Sequence, residues 1–235
     1  MGNTLRIFAP MLVIGVLTLG PLAYYVHRRA NPPVAPTPTS DIAQEARDDL
    51  TQRNFTPLSA SLESLLNDPA YEPVPTQAHT LLLQSAPAFK LTDVDGKEWT
   101  LAQQLRDGPV VLVFYYGYHC NHCVSQLFAL DKDIDKFREL GVTVVSVSAD
   151  APELTRERFK QYGAFKFPVL SDPKNKIAQQ YEVYVPNSKP DQEGSLVHGT
   201  FVITRQGKIA WAHCGAEPFT EHRTLLHEVA RVEGR

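Results

Sequence analysis

One stretch constrains the fold of this chain more than any other: a buried strand that runs through a short turn into a helix carrying two cysteines. Residues 110–115 are a continuous β-branched and aromatic run without polar alternation, which is typical of a strand covered on both faces. The run breaks at Gly117, and helical periodicity extends over residues 124–137. Cys120 and Cys123 lie in between as a Cys-x-x-Cys pair. The sequence therefore predicts two thiols at a helix N-terminus.

Strands and helices alternate on both sides of this stretch. Gly141 ends the predicted helix, and the β-branched run 142–147 then completes a βαβ unit with residues 110–115. Short apolar runs predict further strands at 88–91, 98–101, 167–170, 199–204 and 208–213. Helical spacing predicts helices at 152–162, 174–181 and 221–232. We therefore predict an α/β domain over residues 81–235, with a mixed central sheet flanked by helices.

The N-terminus carries an almost unbroken apolar run, residues 7–26, with Arg6 before it and Arg28 and Arg29 after it. Its length suits one bilayer crossing, which takes ~20 residues, so residues 1–29 are predicted to be a single-pass transmembrane anchor. No clear Ala-x-Ala site follows, which disfavours a cleaved signal peptide. The basic residues slightly favour a cytoplasmic C-terminal part, whereas an exposed Cys-x-x-Cys suits an oxidising exterior. We expect the domain on the extracytoplasmic side.

Residues 30–80 separate the predicted anchor from the predicted domain. Residues 31–40 are Pro-rich and predict an extended, semi-rigid tether. Residues 41–53 and 58–66 have helical spacing, and Asp41 is a plausible N-cap. Two interpretations of this region stay open: short helices packed on the domain, or a loosely ordered spacer.

Composition excludes several classes of function. The net charge is −3 and no cluster of Lys or Arg is present, so a nucleic-acid partner is not expected. Three cysteines are too few and too unevenly placed for a disulfide-stapled scaffold. No Gly-rich phosphate loop or paired-carboxylate signature occurs, and we expect no cofactor.

The Cys-x-x-Cys pair points to thiol chemistry. A helix N-terminus lowers the pKa of a thiol through its unpaired N–H groups and dipole, and Cys120 is best placed for this effect. Cys123, one turn later, can exchange a disulfide with it. His119 and His122 flank the pair, and a protonated imidazole there would stabilise the thiolate and make the disulfide more oxidising.

The strand–helix context of the thiols favours redox chemistry, and two other interpretations stay open. The pair could be inert, or it could bind copper or zinc together with the flanking histidines and the distant His198 or Cys214. His198 alone fits a structural or loop histidine slightly better than an active-site role. Cys214 could resolve a sulfenic acid, but a plain buried thiol is favoured.

The sequence resembles the thioredoxin-like superfamily, specifically its peroxiredoxin-like group, the alkyl hydroperoxide reductase and thiol-specific antioxidant (AhpC/TSA, or redoxin) family. The resemblance covers about residues 81–229. The segments that carry it are 86–93, 95–97, the strand and Cys-x-x-Cys stretch, 144–148, 167–172, 199–203 and 207–209. It implies a thioredoxin-like fold and a thiol-dependent oxidoreductase, either a disulfide exchanger or an antioxidant peroxidase.

The sequence departs from the family pattern at the site itself. Peroxiredoxins place their peroxide-attacking cysteine where Cys123 stands, after a Thr or Ser at the position of Cys120 and a Pro at the position of Tyr116. Their late arginine falls on His198. The thioredoxin pattern instead makes Cys120 the attacking thiol and Cys123 the resolving one, and Gly199 stands where thioredoxins hold a cis-proline. The sequence combines the two patterns.

These observations predict a membrane-anchored thiol–disulfide oxidoreductase with Cys120 and Cys123 as its catalytic residues. The expected partners are protein thiols and disulfides or a peroxide, together with a thiol reductant system. Two alternatives remain: a thiol peroxidase that uses Cys123 as its peroxidatic thiol, and a membrane-tethered copper chaperone that uses Cys120, Cys123 and His198.

Overall fold

The strand before the cysteines lies at the centre of the fold. In the computed structural model, which describes residues 41–118, 120–189 and 194–234, β3 (Val110–Phe114) is buried over its whole length. It pairs in parallel with β4 (Thr143–Ser148) and antiparallel with β8 (His198–Ile203). With no polar side chain to hydrate on either face, this strand is stable only between two layers of other elements.

The described elements confirm an α/β fold with a mixed sheet flanked by helices. The strands, besides β3, β4 and β8, are β1 (Lys90–Thr92), β2 (Glu98–Thr100), β5 (Val169–Ser171), β6 (Tyr184–Val185), β7 (Ser195–Leu196) and β9 (Ile209–Gly215). The helices are α1 (Ile42–Gln52), α2 (Leu62–Leu66), α3 (Leu101–Asp107), α4 (Asn121–Glu139), α5 (Pro152–Tyr162), α6 (Lys176–Gln180) and α7 (His222–Glu233). Seven strands form one sheet in the order β2-β1-β5-β4-β3-β8-β9, and β6 and β7 form a separate hairpin.

Two apolar cores cover the two faces of the sheet, because successive side chains of a strand point to opposite sides. Val111 and Val113 of β3 belong to the first core, together with apolar residues of α1, α2, α4 and α7. Leu112 and Phe114 belong to the second core, which includes residues of α3 and α6. The first core contains Cys123, so the predicted chemistry lies on the face covered by α1 and α4.

The region before the predicted domain is folded from residue 41 onward. Asp41 caps α1 by accepting a hydrogen bond from the Gln44 N–H, and α1 packs against α4. Further along, Trp211 Nε1–H of β9 donates to the Val74 carbonyl, and the Gln77 N–H donates to the Ala212 carbonyl. Asp41–Arg235 therefore form one compact unit, and the two helices of this region are packed on the domain.

The predicted anchor at 7–26 and the Pro-rich tether at 31–40 lie outside the described residues. Within the described part of the chain, none of the helices has both the length and the apolar character that a membrane crossing requires.

Candidate redox site

The turn between β3 and α4 is fixed by a buried carboxylate. Gly117 has φ +126°, and a Cβ at this position would lie 2.7 Å from Asp150 Oδ1. The next N–H, that of Tyr118, donates to Asp150 Oδ2 at 2.9 Å. The sharp turn therefore requires glycine at 117, and Asp150 fixes the direction in which the chain enters α4.

Cys120 and Cys123 are joined by a disulfide at the N-terminus of α4, with their Cα atoms 5.3 Å apart. Cys120 is the N-cap residue, and its Sγ accepts a hydrogen bond from the Cys123 N–H at 3.3 Å. Cys123 has no exposed surface, whereas Cys120 is half-buried. The structure thus brings the two predicted residues together and leaves Cys120 more exposed than Cys123.

His198 lies directly against the second sulfur. Its Nε2 is 3.5 Å from Cys123 Sγ, and its Nδ1 has no hydrogen-bond partner among the described residues. Burial lowers the pKa of His198 to about 4. The charge of Glu217 raises this pKa and the charges of Arg53 and His122 lower it, but burial is the largest cause. The imidazole is therefore neutral near neutral pH and cannot act as the cation that an arginine would supply at this position.

The three groups also form a compact set of soft donors. Cys120, Cys123 and His198 each offer one ligand atom, and these atoms lie within 4.8 Å of one another. In the dithiol form, two thiolates and a neutral imidazole suit Cu(I) or Zn²⁺.

His122 contacts a residue of the N-terminal region. Its Nδ1 lies 2.5 Å from Asp49 Oδ1 of α1. The other Asp49 oxygen accepts hydrogen bonds from Ser125 Oγ at 2.6 Å and Arg53 Nε at 2.9 Å. Burial alone would raise the pKa of Asp49, but these hydrogen bonds and the Arg53 charge outweigh burial and lower it. Arg53 Nη2 also donates to Glu217 Oε2 at 2.6 Å, so a charged network surrounds the start of α4.

Sequence reasoning did not identify Asp49, Arg53 or Glu217. The one available signal was position 49 itself. Counting helical turns from Ile42 and Ala46 puts Asp49 in the apolar stripe of α1, and a carboxylate in such a stripe needs a buried partner. Nothing in the sequence names that partner, because His122 and Ser125 are more than seventy residues away.

Tyr116 covers the outer side of His198, with the two ring centroids 6.4 Å apart and their planes at 61°. Its hydroxyl accepts a hydrogen bond from the Leu196 N–H at 3.2 Å. Tyr116 and Leu196 also line a cavity of about 410 Å³ together with Lys174 and Tyr184. Tyr116 therefore contacts His198 and lines this cavity, whereas neither Cys120 nor Cys123 is among the lining residues.

Cys214 lies on the other face of the sheet. It sits on β9 opposite Gly199 of β8, and its side chain packs against the second core, whereas Cys123 belongs to the first. Burial, with a further contribution from the Glu182 charge, raises the pKa of the Cys214 thiol to about 11. The structure therefore does not bring Cys214 to the Cys120–Cys123 disulfide. His119 lies outside the described residues, and its proposed role stays a prediction.

Comparison with known proteins agrees with this fold. Residues 82–212 match the AhpC/TSA family model. The chain belongs to the AhpC/TSA family. A putative peroxiredoxin of Mycobacterium tuberculosis is 32% identical over 131 residues, which cover 54% of this chain and 80% of that protein. Peroxiredoxin Bcp of Escherichia coli is 31% identical over 144 residues, which cover 60% of this chain and 90% of that protein.

Coverage is lower for a plant relative. Chloroplastic peroxiredoxin Q of Populus jackii is 32% identical over 127 residues, and the match spans only 56% of its length. Among solved structures, peroxidoxin BcpB from M. tuberculosis superposes with a TM-score of 0.58 at 24% identity, covering 65% of this chain and 97% of that one. AhpC/TSA membership confirms the predicted resemblance and the predicted enzyme class, a thiol-dependent oxidoreductase. The matched region begins after α1 and α2, so Asp49 and Arg53 lie outside it.

Proposed function

We propose that this AhpC/TSA protein catalyses thiol–disulfide exchange, with Cys120 as the attacking thiol and Cys123 as the resolving thiol. The difference in exposure between the two cysteine residues carries the proposal. A client disulfide must reach the attacking sulfur, and Cys120 is half-buried at the surface while Cys123 has no exposed area. A resolving thiol needs to reach only its neighbour, which Cys123 does across one helical turn.

Reduction of a client disulfide would take two successive attacks, the first by Cys120 and the second by Cys123. The Cys120 thiolate attacks one client sulfur, a mixed disulfide forms, and the first client thiolate leaves. Cys123 then attacks Cys120 Sγ and releases the second client thiolate, so the client gains two electrons and the protein ends as the disulfide. The Cys123 N–H, directed at Cys120 Sγ, stabilises charge on the attacking sulfur. The departing client thiolate takes up the thiol proton of Cys123, so that charge and protons balance in the second step. A thiol reductant system returns the protein to the dithiol.

Peroxide reduction is the second candidate, and similarity to peroxiredoxins favours it. In that reaction the Cys123 thiolate attacks a peroxide oxygen, an alcohol or water leaves, and the sulfenic acid condenses with Cys120 to give the disulfide and water. The three positions that differ from the peroxiredoxin pattern, Tyr116, Cys120 and His198, weigh against it. The neutral state of His198 removes the cation expected beside the peroxide.

One experiment separates the two reactions. The full-length protein and its Cys120→Ser and Cys123→Ser variants are reduced in detergent solution and mixed with hydrogen peroxide or with a protein disulfide. We expect the wild type to react faster with the protein disulfide, and Cys120→Ser to abolish that reaction. Fast peroxide consumption that survives Cys120→Ser and is lost in Cys123→Ser would establish the peroxidase and refute exchange.

Copper binding is a third candidate, supported by the three donor atoms within 4.8 Å. It predicts one Cu(I) bound per dithiol-form protein, with binding lost in His198→Ala and negligible turnover of both substrates. Turnover of the protein disulfide by the metal-free protein would exclude a purely copper-carrying role.

We also propose that residues 7–26 anchor the protein in a membrane as a single span, with the domain on the extracytoplasmic side. Support comes from the length of the apolar run and from the preference of disulfide-forming cysteines for an oxidising compartment. Carbonate extraction tests the anchor, and protease digestion of intact cells or spheroplasts tests the orientation. Release by carbonate, or protection of the domain from protease, would refute the respective part.

A further inference from the structure

Helix α1 and its C-cap bring charged residues close to Cys120 and Cys123, here called the redox pair. These residues lie outside the part of the chain that matches the family. Asp49 is 5% exposed, and Arg53, the C-cap residue of α1, follows it one turn later. They contact α4 through His122 and Ser125, both within one turn of the cysteines. Arg53 extends to Glu217, in the loop between β9 and α7. Three segments distant in sequence therefore meet at the N-terminus of α4.

Asp49 is a buried carboxylate with several side-chain partners, unlike the carboxylate of an exposed surface ion pair. Its carboxylate receives three side-chain contacts at 2.5, 2.6 and 2.9 Å, one of them from His122, which lies between the two cysteines in sequence. Exposed ion pairs contribute little, whereas a buried carboxylate with several donors fixes the groups around it. Ser125 Oγ, 2.6 Å from Asp49 Oδ2, also lies 2.6 Å from the His122 carbonyl oxygen. Asp49 thereby holds the first turn of α4.

The charged and titratable groups around the N-terminus of α4 come from four segments of the chain. Asp49 lies on α1 and Arg53 is its C-cap residue, His122 lies on α4, Glu217 in the loop after β9, and the neutral His198 on β8. Arg53 Nη2 is 3.3 Å from His122 Nδ1, so its cation is close to the Cys-x-x-Cys turn. Removing Asp49 or Arg53 breaks the same network but changes the local charge in opposite directions.

We propose that Asp49 and Arg53 are positioning residues that set the electrostatic environment of the Cys120–Cys123 pair and thereby the balance between its dithiol and disulfide forms. This inference rests on the proposed redox role of the pair. Positive charge near the sulfurs stabilises thiolates and so favours the dithiol, and negative charge does the reverse. Loss of the Asp49 charge should therefore favour the dithiol, and loss of the Arg53 charge should favour the disulfide.

The test measures the equilibrium between the full-length protein and glutathione at about pH 8, where thiolates form. Asp49→Asn keeps the side-chain shape, and we expect its equilibrium constant to shift about fivefold toward the dithiol, or ~20 mV for a two-electron couple. For Arg53→Gln we expect a shift of similar size toward the disulfide. Two exposed residues of α1 that have no contact with His122 provide matched controls, although the Arg47 guanidinium lies over the Phe128 ring of α4. Asp48→Asn and Arg47→Gln make the same charge changes and should stay within about twofold of the wild type.

The opposite signs exclude a merely structural effect. Loosening of α1 alone would move Asp49→Asn and Arg53→Gln in the same direction, and that result, or shifts no larger than those of the controls, would overturn the inference. If Asp49→Asn does not fold, Arg53→Gln against Arg47→Gln decides the question, and no shift toward the disulfide refutes the inference. If the wild-type pair equilibrates with glutathione but leaves protein disulfides untouched, the proposed function fails while the inference is still tested.

Discussion

The neutral, buried His198 should make the protein less stable as the pH falls. Its pKa is lowered from 6.5 to about 4 by burial, and its side chain is almost inaccessible at 4% exposure. In the unfolded chain the imidazole takes up a proton as the pH falls through its ordinary pKa, whereas in the folded protein it does not. The unfolded state then binds more protons, so the free energy of unfolding falls between about pH 6.5 and pH 4 and is unaffected above that window.

The size of the effect follows from these two pKa values. Between about pH 7 and pH 5, a group with an unfolded pKa of 6.5 and a folded pKa of about 4 removes about 2 kcal/mol of unfolding free energy. Other titrating groups add their own pH dependence, but a His198→Gln variant retains them. The prediction is therefore a difference: over this pH interval the wild type should lose about 2 kcal/mol more than His198→Gln.

Urea unfolding of the oxidised, full-length proteins in non-ionic detergent, followed by tryptophan fluorescence, measures this difference. The substitution can lower stability at every pH because it changes packing, and that constant offset cancels when the two pH values are compared. Parallel loss of stability in the wild type and the variant would refute the argument. It would mean that His198 can be charged in the folded protein, and the argument against a cation beside Cys123 would fail with it.

Three further substitutions test other features of the structure. Gly199→Ala would place a Cβ 2.5 Å from Val183 Cγ1 in a packed core, so we expect urea unfolding to show a loss of about 1–3 kcal/mol in the free energy of unfolding. An unchanged midpoint would show that the core relaxes. Cys214→Ser should leave the rate of disulfide exchange within about twofold of the wild type, because Cys214 lies on the opposite sheet face, and a large loss in a stopped-flow assay would contradict that placement. Asp133→Ala removes a buried acceptor of the Leu58 N–H and of His222 Nδ1, so we expect a loss of about 3 kcal/mol, and a loss below about 1 kcal/mol would show that water replaces the carboxylate.

Much of the fold could be predicted from the sequence because its signals are local. Helix α5 begins and ends where periodicity and Pro152 place it, and the fully apolar β3 is central, as a strand covered on both faces must be. Helix α3 was not predicted because it begins at Leu101, directly after β2, where apolar alternation still favours a strand. The Thr100 side chain caps this helix by accepting a hydrogen bond from the Gln103 N–H. The β6–β7 hairpin was missed because each strand has two residues, too few for a periodic signal.

At the site, too, the features set by local sequence could be predicted, whereas those set by distant segments could not. The Cys-x-x-Cys spacing and its position after a buried strand were enough to place both sulfurs at a helix N-terminus, since these relations lie within twenty residues. The environment of the sulfurs depends on His198 from β8 and on Asp49 and Arg53 from α1, and only the three-dimensional structure brings these segments together. Motifs thus predict which atoms react, whereas we expect the choice between attack on a disulfide and attack on a peroxide to depend on the burial and charge around those atoms. At this site, burial neutralises the group that occupies the arginine position, and α1, which the family match does not include, provides the nearby cation.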